Sequence, residues 1–392
     1  MTITASPQNF TTASNPVVFE FSSILTAQPG FSFLIELTVN GSVHSFHQVF
    51  PESSNFGKFD CSEILRSIVR SQLISDGSFA TPYTNAVASY SIRVRPKYGT
   101  PPTEQGVYVG SSTFNVINGA LNYIDWISYV FGDYDFAVSS PCLFLTTFPR
   151  TQQYFCGLTE SMFLAMVNSS AVATDITAKL YTITDTLIAT GTASGLTAAN
   201  LLLVNVSPSS VVANTSVTDA NFTTCSYYTI QLSHSGANTE EFKIYIDNEC
   251  SQYTSRRLHW LNKFGVWDSY SFTKYSEEST NIRSFEYQRE PGRWSSTNDF
   301  EYNRVNGSNF SGTKTSTDTM KLNSDWIKEE KQNWLMSSLL ESPSVYLEIT
   351  EGVFEPVIVS NKTFTKKQKI KEGLIQELIR IKRTYNHTSQ LG

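Results

Sequence analysis

Residues 31–46 read FSFLIELTVNGSVHSF, with Phe31, Phe33, Ile35, Leu37 and Val39 alternating with smaller or more polar neighbours before Asn40-Gly41. Alternation puts one set of side chains on one face of a strand. An Asn-Gly pair supplies the two positive φ values that a type I′ hairpin turn needs. The stretch is therefore a half-buried β-hairpin, and it sets the class as mainly β. Composition agrees: 13% of the 392 residues are aromatic, only 16% are charged, and Ser, Thr and Asn dominate the polar remainder. Such usage suits many short strands and turns.

Working outward, FDCSEILRSIVRSQL predicts a short helix with Asp60 as N-cap and Glu63 three positions on, a capping box. Ile64, Leu65, Ile68 and Leu73 give it an apolar face. Strand alternation returns at Tyr90, Ile92 and Val94 and again at Phe114 and Val116. Residues 1–119 are read as a β-sandwich-like domain with one short helix. Residues 120–250 make a second one, closed by YYTIQLS and EFKIYID, in which Tyr228, Ile230 and Leu232 face inward with Phe242, Ile244 and Ile246. Residues 251–392 form an α+β domain. In it Pro291-Gly292 suits the centre of a type II turn, and NSDWIKEEKQNWLMSSLLES predicts a helix capped by Asn323 or Ser324 and stopped by Pro343. Two strands flank Glu351-Gly352. Finally Ile370, Leu374, Leu378, Ile381 and Tyr385, spaced by fours and threes, predict a terminal amphipathic helix with a basic opposite face.

The chemistry-bearing residues exclude more than they suggest. A net charge of -6 argues against a nucleic-acid partner. No run of the ~18 apolar residues of a membrane span occurs, and the first residues lack the basic and apolar regions of a secretory leader. The five cysteines, Cys61, Cys142, Cys156, Cys225 and Cys250, have no metal-type spacing and read as free core thiols, which suits synthesis in a reducing cytoplasm. His44 and His47 sit three apart on a strand and so point to opposite faces unless a bulge intervenes. Asp133 and Asp135 lack a calcium-loop continuation and read as a turn. With no nucleophile motif or phosphate loop, no enzyme, cofactor or metal is expected.

That leaves surfaces and packing. In LHWLNKFGVWDSYSF, residues 258–272, Trp260, Phe264 and Trp267 fall at intervals of four and three, and Gly265 permits a bend or a close approach. Large aromatics anchor interiors and interfaces more often than open sites. Trp260, Phe264, Gly265, Trp267, Trp294 and Trp334 are the packing or interface candidates. Exposure of Trp267 or Trp294 would instead point to glycan stacking.

WLNKFGVWDSYSF, then SPSVYL at 342–347, and GKFDCSEILRSIV near the start resemble virion structural proteins of tailed phages infecting Bacteroidota, including crAss-like phages. The likeness covers the last third of the chain and, more loosely, the first domain. It implies a non-enzymatic tail, neck or baseplate component, made in the host cytoplasm, that associates with copies of itself in a ring and with other virion proteins. The alternative is a receptor- or carbohydrate-binding adhesin of β-sandwich modules, with a host-surface glycan as partner.

Overall fold

The computed structural model describes residues 1–52, 55–73, 77–247, 253–302, 308–365 and 374–389. The chain is mainly β, in sandwich-like layers. Near the start, Thr2–Ala5, Val18–Ser22 and Phe56–Asp60 form a three-stranded sheet facing a larger one ordered Thr11–Thr12, Phe114–Ile117, Val87–Gly99, Ser32–Val39, Ser42–Val49. The opening hairpin is as read: Asn40 and Gly41 have φ of 48° and 78°, and Phe31, Phe33, Ile35, Leu37 and Val39 are buried. The predicted helix runs Ser62–Ile68, but its cap is Cys61 with no side-chain cap bond, so the expected Asp60–Glu63 capping box does not form and Leu73 lies beyond the helix end. Asp60 stays beside it, accepting from the Ser62 N–H at 2.9 Å and the Val17 N–H at 3.0 Å, which ties the helix start to the neighbouring strand.

The next sandwich pairs a sheet ordered Tyr154–Cys156, Phe242–Ile246, Tyr227–His234, Thr174–Tyr181, Leu187–Leu196 with a smaller one, Phe163–Val167, Leu201–Asn205, Ala80–Pro82. The last of these strands comes from the first 119 residues, so the two regions are joined by a sheet and not merely linked. Tyr228, Ile230, Leu232 and Ile244 are fully buried, as the alternation predicts.

After residue 252 a seven-stranded sheet runs Trp267–Phe272, Arg256–Leu261, Val345–Thr350, Val353–Val359, Leu378–Thr388, Asn309–Asn323, Glu277–Gln288. The helix Glu329–Glu341 packs against Arg256–Leu261. It starts later than predicted because Ile327–Lys328 pairs as strand with Leu374–Ile375. Core residues of this sheet (Leu258, Trp260, Leu347, Ile379) and of the middle sandwich (Leu164, Ile230, Ile244) belong to one continuous apolar cluster. The first sandwich has its own cluster.

Two predictions fail here. Leu378–Thr388 is a strand, with Ile379 and Ile381 buried between exposed Leu378 and Arg380. A period of two was present under the helical spacing, and pairing on both sides outweighed helix propensity. Ile370 of that predicted helix lies outside the described residues, as does Cys250. Pro291-Gly292 is not the hairpin turn, since Gly292 has no positive φ and opens the strand Gly292–Trp294. The chain reverses instead at 295–299, where Asn298 has φ 62°.

Candidate interaction surfaces

Five of the six aromatic-region candidates meet where the three regions join. Trp260 is fully buried, its ring 5.2 Å from that of Trp334, and its indole N–H donates to Ser338 Oγ at 2.8 Å. Trp334 donates to Thr147 Oγ1 at 3.0 Å. Trp267 donates to the Tyr83 hydroxyl at 2.9 Å, and Phe264 lies 5.0 Å from Tyr134. Gly265 turns with φ 78° so closely against Asn118 that a Cβ would collide with its carbonyl oxygen. The Gly265 carbonyl accepts from Ser71 Oγ at 2.6 Å. These residues hold the molecule together. Trp294 stands apart and is 71% exposed.

Around this aromatic seam lies a buried polar network that sequence spacing does not announce. Arg257 reaches Glu160 Oε2 at 2.9 Å, Ser271 Oγ at 2.6 Å and Ser269 Oγ at 2.8 Å. Burial opposes ionisation of Glu160, but Arg257 and the serine hydroxyls outweigh it and hold the carboxyl below its usual range. Glu348 behaves alike: burial raises it, while His259, Ser161 and Arg257 bring it down. Its oxygens accept from the Ser161 N–H at 2.9 and 3.2 Å. His259 Nε2 sits 3.0 Å from Glu348 Oε2, and burial holds the imidazole below its usual value. The ionised carboxylate can only accept, so the proton sits on Nε2.

The remaining sequence candidates have structural roles. Asp135 is fully buried and accepts from the Ser169 N–H at 3.0 Å and hydroxyl at 2.6 Å, while Asp133 is exposed. His47 Nε2 lies 2.8 Å from Ser45 Oγ. Among the described residues no group of three His, Cys, Asp or Glu side chains could hold a metal ion. Cys61, Cys142 and Cys156 are free and buried, and Cys225 is buried; burial pushes the first three thiols up to about 12 and Cys225 to about 11. No helix among the described residues is long and apolar enough to cross a membrane.

The largest open feature is an arm. Leu378–Thr388 pairs with Asn309–Asn323 only from Thr315 to Asn323, so beyond Ser284 and Lys314 the ribbon is two strands wide. It ends in a hairpin, Gly292–Trp294 with Phe300–Tyr302. Glu277–Gln288 is the last strand of the sheet, twelve residues long, and almost wholly exposed. Phe285 stacks on Tyr287 at 6.3 Å and Tyr287 on Phe310 at 5.7 Å, with the Arg289 guanidinium 5.2 Å from the Phe310 ring. At the tip Phe300 lies 5.4 Å from Trp294 and 4.9 Å from Tyr302. The sequence gives one signal for it: FEYQREPGRW carries aromatics at strand spacing, with no second apolar element placed to cover them.

No protein-family model matches the chain, and no curated protein does. Among solved structures, one similar chain comes from the crystal structure of Dpr2 Ig1-Ig2 in complex with DIP-Theta Ig1-Ig3. It is 7% identical, with 81% of this chain and 94% of that chain covered and a TM-score of 0.18, too low to carry an argument.

Proposed function

We propose that the chain is a non-enzymatic structural subunit of a phage virion, a tail, neck or baseplate component that closes a ring through contacts of its arm with a neighbouring copy. The arm is the observation that carries this. A two-stranded ribbon is marginally stable alone in water, and a long open edge strand is a template for pairing with another chain. Here such a ribbon and its tip also display Phe285, Trp294 and Tyr302, all more than half exposed. Burying these side chains against a neighbour would contribute about 1.5–3 kcal/mol each. The closely packed body, tied together by the buried Arg257–Glu160 and His259–Glu348 contacts, offers a base from which such an arm can reach.

Light scattering with negative-stain imaging tests the reading. The wild-type protein should form a defined multimer, and the double variant F285D/W294A should remain folded but monomeric. Wild-type protein that stays monomeric at every concentration and with every neighbouring virion protein would remove the proposal. A second reading, the glycan-binding adhesin, is favoured by one observation, the exposure of Trp294 beside Phe300 and Tyr302. Quenching of tryptophan fluorescence by host glycans, abolished in Trp294→Ala, would support it.

A further inference from the structure

Between the middle sandwich and the last sheet lies an open cleft of about 760 Å3, within the size range of small-molecule sites. One wall is a row of rings in register across three strands. Phe155 faces Tyr245 and Tyr245 faces Tyr227, with centroids 5.7 and 5.5 Å apart and the Lys243 ammonium 3.5 Å from the Tyr227 centroid; the row continues beyond the cleft to Tyr181. The other wall carries Tyr270, Trp326 and Lys331. Lys331 is 9% exposed, and its ammonium donates to the Gln153 carbonyl at 3.0 Å and sits 5.0 Å from the Phe155 centroid and 5.3 Å from that of Tyr270.

We infer that this cleft is a binding site for an uncharged saccharide, one or two sugar rings long. Three properties select that class. The cation-accepting place among the rings is filled by the protein's own Lys331, which leaves it unsuited to a quaternary or primary amine ligand. The lining carries Asp185, Asp247 and Asp325 against Lys243 and Lys331, and Lys274 pairs with Asp325 at 3.4 Å, so the charges balance and favour no ionic ligand. The same carboxylates and ammonium are suited to a polyol, since sugar hydroxyls both donate and accept, while the C–H faces of a pyranose cover aromatic surface. Trp326 at the rim is 54% exposed and Phe155 at the end of the aromatic row 38% exposed.

The inference does not rest on the arm, and the experiment keeps the two apart. Lactose, cellobiose and diacetylchitobiose are titrated up to their solubility, followed by saturation-transfer NMR and tryptophan fluorescence, and a neutral-glycan array is probed with the same protein. At least one glycan should bind, and Trp326→Ala, Phe155→Ala and Lys331→Met should each weaken it about tenfold or more with an unchanged near-UV CD spectrum. Binding should survive in F285D/W294A. Three results would overturn the assignment: no binding to any glycan tested, binding unchanged in all three cleft variants, or binding lost only in Trp294→Ala.

Discussion

At Gly265 the backbone combines φ 78° with contact against the Asn118 carbonyl, so Gly265→Ala meets both a backbone penalty and a clash. Its expected cost is about 1–3 kcal/mol from the strained φ alone, read as a fall in the urea midpoint. Trp260→Ala removes a fully buried ring and leaves Ser338 Oγ without its donor, an expected loss of about 3–5 kcal/mol. The burial of these aromatics was legible because apolar residues at spacings of four and three within one short stretch have few uses besides packing. Glu348 was not legible, since its partners are 89 and 187 residues away. Its folded-state value is depressed, so the stability it contributes is present above the ordinary carboxylate range and lost as pH falls through the folded value. Glu348→Gln should flatten the acid limb of a stability–pH curve. Lys331 works with the opposite charge. Burial lowers it from 10.5 to about 8, so the unfolded chain binds more protons between those values and stability rises with pH across that window. Lys331→Met should abolish the rise and add on the order of 2–3 kcal/mol at pH 7. A lysine kept at that expense is consistent with a role in binding.

Among the elements, the arm and the last strand teach different lessons. Leu378–Thr388 was misread because LIRIKRTY satisfies a helical and an alternating pattern at once, and only the neighbouring strands decide between them. The arm was read as ordinary strands because a sequence window shows alternation but not whether a second layer covers it. Glu277–Gln288 alternates like a sheet strand and yet buries nothing. The aromatic row of Phe155, Tyr245, Tyr227 and Tyr181 was invisible for a related reason: each strand contributes one ring, and register alone aligns them. Replacing residues 285–313 by an Asn-Gly link should leave the melting midpoint within about 3 °C and abolish assembly. A large drop in midpoint would show that the arm stabilises the body itself.

For the whole molecule, the apolar cluster shared by residues 136–381 means that the middle sandwich is not a separable bead. It also takes its strand Ala80–Pro82 from the first region. Expressed alone, 120–250 should lack a near-UV CD signal and bind a hydrophobic dye, whereas the full chain should unfold that core in one calorimetric transition. The first region has a cluster of its own but also shares a third one, from Phe10 and Tyr83 to Leu203 and Trp267, with the rest of the chain. The placing of Leu378–Thr388 carries a consequence for synthesis. This strand lies between Val353–Val359 and Asn309–Asn323, and among the described residues it is the sole strand joining the arm's ribbon to the remainder of its sheet. It is also translated after every other strand of that sheet. While a nascent chain is still on the ribosome, its aromatic ribbon has no anchorage in the sheet. Docking of the ribbon thereby waits until Leu378–Thr388 has been made, after the other described strands of that sheet.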